Sequence, residues 1–185
     1  GSTHKEIAFE KAGIIKHGTS LITAVSQQEA RDVILQEAKM KEAAVYLLYE
    51  QFTIVHHHSI DSGETFTWHY KDTVLEDVSI SMYGKHQTEN ASLAMMAAYL
   101  LQKEYSLEIT EQHLRNGLKS AFWPGRFEKV SSNPVVILDG AHNEEGIAAL
   151  SAELEKRYSG RYIKIVFSAL GDKRLDKMIA RLDRV

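Results

Sequence analysis

Three polar residues that follow a predicted buried strand have side chains suited to binding a charged ligand. Residues 134–138 form an apolar, β-branched run bounded by turn formers, which predicts a buried strand. The chain continues as Asp139-Gly140-Ala141-His142-Asn143 and then as a helical pattern. In open α/β sheets, ligands bind in the crevice beyond the carboxyl ends of the strands. We therefore expect Asp139, His142 and Asn143 to line such a crevice, with simple turn and helix-capping roles as the alternative.

A second stretch lies a short way upstream, in Trp123-Pro124-Gly125-Arg126-Phe127-Glu128. The Pro-Gly bend breaks the preceding helical pattern. A guanidinium held on such a bend presents a fixed fork of donors, suited to a bidentate contact with an anionic group. An interdomain ion pair of Arg126 with Glu128 or Asp139 is one such contact.

These two stretches, Trp-Pro-Gly-Arg-x-Glu and Leu-Asp-Gly-Ala-His-Asn, resemble the folylpolyglutamate synthase and dihydrofolate synthase proteins. That family belongs to the Mur ligase superfamily of ATP-dependent amide ligases. Two further blocks agree with it: Ile7-Ala8-Phe9-Glu10-Lys11-Ala12-Gly13-Ile14-Ile15-Lys16 and Gly84-Lys85-His86-Gln87-Thr88-Glu89-Asn90-Ala91. The four blocks occur in the family's order and extend over most of the chain, which makes the resemblance specific.

The resemblance implies an α/β fold in two parts. Residues 1–127 would be the C-terminal part of a Mur-ligase-like P-loop ATPase domain that carries an antiparallel hairpin or meander. Residues 128–185 would be the first part of a Rossmann-like ligase domain. The P-loop pattern G-x-x-x-x-G-K-[ST] is absent, so the resemblance also implies a fragment that lacks the phosphate-gripping half.

The implied reaction is the ATP-dependent addition of L-glutamate to the γ-carboxyl of folate through an acyl phosphate, with Mg²⁺ offsetting the phosphate charge. The chain alone is expected to have little ligase activity. Folylpolyglutamate synthases and dihydrofolate synthases both contain these blocks, so the sequence does not distinguish between the two activities. Two other hypotheses remain open: a Mur-type ligase acting on a UDP-MurNAc-peptide, and a non-catalytic α/β binding module.

The resemblance also implies roles for individual residues. Lys11 would be carbamylated and face a divalent metal, because a carbamate offers oxygen ligands where an ammonium would repel the ion; its alternative is an ordinary surface lysine. Asp172 and Lys173 would lie beside the second substrate, or serve only as a helix cap and an exposed lysine. The nucleotide would be contacted at its base, phosphate and ribose by Asn90, Arg126 and Asp139, with His142 and Asn143 near the transferred phosphate.

Composition excludes several classes of protein. The net charge of −3 argues against a general binder of nucleic acid, which usually shows a basic face. No apolar run approaches the roughly 20 residues that cross a bilayer. The chain has no cysteine, which fits a reducing compartment, and we expect a cytoplasmic monomer with small-molecule substrates.

The periodicity of the sequence predicts the elements that hold these residues. A first helix is predicted over residues 3–11, with Thr3 and Glu6 at the positions of a capping box. A strand–helix–strand unit follows over residues 20–49, with Ser26 as the helix cap. Alternating runs at 52–58, 65–71 and 74–82 predict an antiparallel meander whose three consecutive histidines, 56–58, lie on a solvated edge strand instead of converging on a metal.

The remaining predictions are helices over 87–104, 110–119, 144–158 and 172–183, and strands over 134–138 and 161–168. His86 is predicted to cap the first of these helices. Thr110 is in position to cap the second, but His113 stands where a Glu or Gln would complete the capping box. The segment between Glu128 and Pro134 is predicted to be a polar turn.

Overall fold

The computed structural model describes residues 3–170 and 175–185. It begins with helix α1 (His4–Ala12), which has the predicted capping box: Thr3 Oγ1 accepts the backbone N–H of Glu6, and Glu6 Oε2 accepts that of Thr3. Strand β1 (Ser20–Thr23), helix α2 (Gln28–Met40) and strand β2 (Ala44–Leu47) follow, and the two strands pair in parallel as predicted. The predicted cap of α2 was wrong by one residue. Gln27, not Ser26, caps it, by accepting the N–H of Ala30.

The predicted meander is confirmed as an antiparallel sheet of β3 (Phe52–Ile60), β4 (Gly63–Tyr70) and β5 (Thr73–Ile80), in the order β3-β4-β5. The histidines lie on the edge strand β3, where the register shifts at a bulge between Val55 and His58. They are not all solvated, however. His57 is half-buried and its Nε2 lies 2.9 Å from the carboxylate of Glu64 on β4.

Two helices cover this sheet. Helix α3 (Lys85–Tyr105) follows Gly84, which has a φ of +102° and gives the helix no side-chain cap. Helix α4 (Glu111–Ser120) is capped by Thr110. The sequence predicted an incomplete capping box here, but the Nδ1 of His113 accepts the N–H of Thr110 at 3.3 Å and completes it. The largest core cluster lies between sheet and helices and includes Phe52, Phe66, Trp68, Tyr70, Met95, Met96 and Leu100.

The C-terminal part differs more from expectation. Strand β7 (Val135–Leu138) forms within the predicted range, but it is largely exposed and not buried, because its sheet has only two strands among the described residues. It pairs with β6 (Glu128–Ser132), most of which the sequence predicts to be a polar turn. Helix α5 (Glu144–Tyr158) has the predicted bounds, and α6 (Leu175–Leu182) falls within its predicted range. Residues 161–168 form no strand, so that prediction was wrong; a strand requires a partner, and none of the described strands pairs with this segment.

Candidate functional site

A cleft of about 330 Å³ lies where the loop between β7 and α5 faces the beginning of α3. Its volume falls within the range of small-molecule sites, roughly 300–1,000 Å³. One wall carries Tyr83, His86 and Gln87, from the end of the meander and the first turn of α3. The opposite wall carries the residues from both stretches singled out in the sequence: Arg126, Phe127, Asp139, Gly140, Ala141, His142 and Asn143.

The loops that form the second wall cross at two glycines. The N–H of Gly140 donates to the carbonyl oxygen of Gly125 at 2.7 Å. Gly125 has a φ of +69°, and a Cβ on Gly140 would lie 3.4 Å from that oxygen. The crossing brings Arg126, which is exposed, and Asp139 into the lining of the same cleft. Arg126 forms no ion pair with any residue of the described ranges, so its predicted alternative, an ion pair with Glu128 or Asp139, is not observed.

Asp139 organises the backbone of this wall. Its Oδ2 accepts the N–H of Phe127 and its Oδ1 accepts the N–H of Ala141, both at 2.8 Å. Glu128 acts similarly, with Oε2 accepting the N–H of Gly125 at 2.8 Å. Each carboxylate oxygen has a second lone pair. Asp139 therefore holds the two loops together and still retains acceptor capacity on the cleft side.

The imidazole of His142 has a fixed tautomer. Its Nδ1 lies 2.8 Å from the carbonyl oxygen of Gly140, which accepts hydrogen bonds only, so Nδ1 carries a hydrogen and donates it. Nε2 is left as the ring nitrogen available to a ligand. Asn143 has the capping role that the sequence offered as its alternative, because its Oδ1 accepts the N–H of Gly146 at 2.7 Å, and it lines the cleft as well.

Asn90 does not line the cleft directly. It is exposed, one turn beyond Gln87, and its Nδ2 donates to Gln87 Oε1 at 3.3 Å. Gln87 is buried to 7% exposure and does line the cleft. The structure thus brings together Arg126, Asp139, His142 and Asn143, and it connects Asn90 to them through Gln87.

Several cleft residues were missed by the sequence reasoning. His86 and Gln87 belong to the block that drew attention to Asn90, but capping was the predicted role for His86, and α3 has no side-chain cap. Tyr83 and Phe127 form an edge-to-face pair at the base of the cleft, with ring centroids 5.8 Å apart. The sequence around Tyr83 does not predict this pair, because Tyr83 and Phe127 belong to segments that are distant in the sequence and meet only in the folded chain.

The remaining predicted residues are Lys11, Asp172 and Lys173. Lys11 is exposed in the last turn of α1 and is not among the residues that line the cleft. Asp172 and Lys173 lie outside the described residues. Across residues 3–170 and 175–185, no three His, Cys, Asp or Glu side chains are grouped to hold a metal ion. None of the helices in those ranges combines the length and the apolar composition that a membrane crossing requires.

Comparison with known proteins shows which proteins this chain is similar to. Residues 125–185 match the family described as "Mur ligase, glutamate ligase domain". The whole chain is 43% identical to the dihydrofolate synthase/folylpolyglutamate synthase of Bacillus subtilis and covers 43% of that protein. It is 30% identical to the folylpolyglutamate synthase of Lacticaseibacillus casei, covering 42% of it.

Solved structures agree over the whole chain. One, an FPGS–AMPPCP–folate complex, has a TM-score of 0.94 at 29% identity, with 100% of this chain and 45% of that chain covered. Another, the Mycobacterium tuberculosis folylpolyglutamate synthase complexed with ADP, has a TM-score of 0.90 at 28% identity, covering 100% and 42%. The chain therefore spans a little under half the length of these relatives. The shared fold and the whole-chain similarity together show that this chain is similar throughout its length to folylpolyglutamate synthases and dihydrofolate synthases, and that its residues 125–185 match the glutamate ligase domain of Mur ligases.

Proposed function

We propose that the cleft binds ATP and that the protein uses it to join L-glutamate to the γ-carboxyl of folate. The observation that carries this proposal is the convergence of Arg126, Asp139 and His142 on one cleft. They come from two crossing loops, which bring a cation, a carboxylate and an imidazole into the lining of one cleft. Relatives of this chain have been solved with ADP, or with AMPPCP and folate, which supports a nucleotide and a folate as ligands of the same fold.

The geometry supports a distinct role for each side chain. Arg126 lies exposed, without an ion pair in the described ranges, so its guanidinium is available to a phosphate. Asp139 has acceptor capacity left for a ribose hydroxyl, and the Nε2 of His142 can contact an oxygen of the transferred phosphate. Asn90 and Gln87 share a hydrogen bond, and we assign the nucleotide base to this amide pair, since amides match the donor and acceptor edge of adenine.

ATP would supply the phosphoryl group that activates the folate carboxyl as an acyl phosphate for attack by the glutamate amine. The part this chain plays is to hold charges around that transfer. Mg²⁺ has no ligand cluster among the described residues, so no step is assigned through it. The carbamate on Lys11 and the substrate contacts of Asp172 and Lys173 remain predictions.

The wider assignments are part of the same proposal. We place the boundary between the ATPase and ligase domains at residues 127 and 128, close to the start of the family match at residue 125. The absence of cysteine supports a cytoplasmic protein, and we propose a monomer that binds small molecules and no nucleic acid.

Calorimetric titration of the 185-residue chain with ATP tests the site. Loss of a charge-assisted contact costs about 1.5–3 kcal/mol, so Arg126→Gln should weaken ATP binding roughly 10- to 100-fold. Arg161→Gln, an exposed arginine outside the cleft, serves as the matched control and should leave binding unchanged. Equal effects of the two substitutions, or no ATP binding by the parent at millimolar concentrations, would contradict the proposed site.

Turnover separates the ligase hypothesis further. Because this chain has no P-loop pattern, we expect little or no release of ADP when ATP, folate and glutamate are supplied together. Robust ADP release that requires both folate and glutamate would show that the missing loop is dispensable, contrary to the proposal.

A further inference from the structure

A fully buried carboxylate, Glu64 on β4, lies behind the cleft and has no part in the proposed chemistry. Its exposure is 0%. Oε2 accepts hydrogen bonds from Ser59 Oγ at 2.5 Å and from His57 Nε2 at 2.9 Å. Oε1 accepts the N–H of Gly84 at 2.9 Å and Nη2 of Arg157 at 3.1 Å. Each oxygen therefore has two donors, as a buried ionised carboxylate requires.

The surroundings keep this group ionised. Burial acts to raise the pKa of the Glu64 carboxyl, but the hydrogen bonds from Ser59, Gly84 and His57, together with the charge of Lys156, outweigh burial and hold the pKa below its ordinary value. Lys156 reaches the same place from α5, where its Nζ contacts Ser59 Oγ.

Arg157 connects this carboxylate to the second wall of the cleft. It lies on α5, the helix that begins at the β7–α5 loop. Its Nε donates to Glu153 Oε2 at 3.0 Å, its Nη2 donates to Glu64, and its guanidinium lies 3.9 Å from the centre of the Tyr83 ring. The fork of one arginine thus joins α5, the meander and the segment that leads into α3.

Gly84 connects the same carboxylate to the first wall. It immediately precedes α3, whose first turn carries His86 and Gln87. A Cβ at Gly84 would lie 2.8 Å from the His86 ring and 3.5 Å from Glu153 Oε1. The two walls are therefore in close contact here, and Glu64 binds one through a backbone N–H and the other through a guanidinium.

We infer that Glu64 and Arg157 are positioning residues that fix the first turn of α3 against α5 and thereby set the separation of the two cleft walls. Neither residue is among those that line the cleft, so the pair acts through Gln87 on one side and the β7–α5 loop on the other. The wall separation is independent of any ligand; only the consequence for ATP affinity rests on the proposed function.

Distances between the walls can be measured directly, because the chain has no cysteine of its own. Spin labels at Ala94→Cys on α3 and Ala152→Cys on α5, both exposed positions, report the separation by pulsed electron paramagnetic resonance without nucleotide. Arg157→Gln removes the bridging cation and leaves Glu64 three donors. We expect it to broaden the distance distribution roughly twofold, because the walls then sample several separations. It should also weaken ATP binding about tenfold.

Arg115→Gln is the matched control. Arg115 also joins separate elements, since its guanidinium on α4 donates to the carbonyl oxygens of Glu76 and Asp77 on β5, but it lies away from the cleft. This change should lower the melting temperature and leave the distance distribution unchanged. A distribution that is unaffected by Arg157→Gln, or broadened equally by both variants, overturns the inference.

Two further results are decisive. Arg157→Lys keeps the charge but not the forked guanidinium, so its distance distribution should be narrower than that of Arg157→Gln. If circular dichroism shows that neither variant folds, Arg157 acts in folding and the positioning role is wrong. A parent chain with a narrow distance distribution but no ATP binding would overturn the proposed function alone.

Discussion

Asp139 provides the sharpest test of how the cleft is built, because its carboxylate holds two loops before any ligand arrives. Both of its oxygens accept a backbone N–H at 2.8 Å, one from Phe127 and one from Ala141. Asp139→Asn keeps one acceptor and turns an NH₂ group towards the other N–H. Asp139→Ala removes both acceptors. The two substitutions therefore differ by one hydrogen bond, and their effects should be graded.

The size of the effect follows from these contacts. Hydrogen bonds to a charged group contribute about 1.5–3 kcal/mol each, and the half-buried position of Asp139 places them at the low end. We expect a loss of about 1.5 kcal/mol in the free energy of unfolding for Asp139→Asn, and about 3 kcal/mol for Asp139→Ala. For a chain of this size, the second loss lowers the melting temperature by roughly 6–12 °C.

Urea denaturation without nucleotide measures these losses, with tryptophan fluorescence and circular dichroism as independent probes. Trp68 is in the core and Trp123 lies just before the Gly125 loop, so both regions contribute to the signal. Asp72→Ala, in the exposed turn between β4 and β5, is the control and should change stability by less than about 0.5 kcal/mol. If both Asp139 variants are as stable as the parent, the carboxylate does not hold the loops and the reasoning fails.

Three other predictions follow from contacts in the N-terminal part. A Cβ at Gly63, where φ is +145°, would lie 1.8 Å from the carbonyl oxygen of Ile80; Gly63→Ala should therefore cost at least about 3 kcal/mol in urea denaturation, and a loss below about 1 kcal/mol would mean that the strands separate easily. The pKa of Glu64 is lower in the folded protein than its unfolded-state value of 4.5. The ionised carboxylate therefore stabilises the folded state above pH 4.5, and this contribution is lost as the pH falls through the folded-state pKa. The stability gap between the parent and Glu64→Gln should thus be constant near neutral pH and shrink below about 4.5; a gap that grows with acid would contradict this sign. Burial and the hydrogen bond to Glu89 raise the pKa of Tyr49 to about 12, so ultraviolet titration of Glu89→Gln should show this tyrosine ionising at lower pH than in the parent, and an unchanged titration would exclude the bond.

Local signals in the sequence predicted the elements that depend on local contacts. Capping residues, alternating apolar residues and turn formers, each within a few positions of one another, predicted three features. These are the capping box of Thr3 and Glu6, the parallel pair of β1 and β2, and the meander. The errors arise where the outcome depends on a distant partner. Glu128–Ser132 is polar and looked like a turn, yet it forms a strand because β7 offers it a hydrogen-bonding edge. Residues 161–168 are apolar enough for a strand but have no strand partner in the described ranges.

The residues of the candidate site show the same difference between local contacts, which the sequence predicts, and contacts with distant partners, which it does not. Asp139, His142 and Asn143 could be predicted as neighbours because one strand end delivers all three, and Arg126 because the bend just upstream leads into the same hairpin. Gln87 and Tyr83 could not, since their position at the cleft depends on how α3 meets α5. The packing of α3 against α5 depends on the ion pair of Glu64 and Arg157, which are 93 residues apart in sequence. A local sequence pattern cannot contain both residues.

The start of α3 has an unusual dependence on the rest of the molecule. Gly84 gives this helix no side-chain cap, and its own N–H is held by a carboxylate 20 residues earlier in the chain. A peptide of residues 84–105 would contain every residue of the helix but not that acceptor, so it should be frayed at its beginning and helical mainly towards its end. The carboxylate of Glu64 on β4 reaches this N–H from the meander, so the opening turn of α3 depends on a neighbouring sheet and not only on its own sequence.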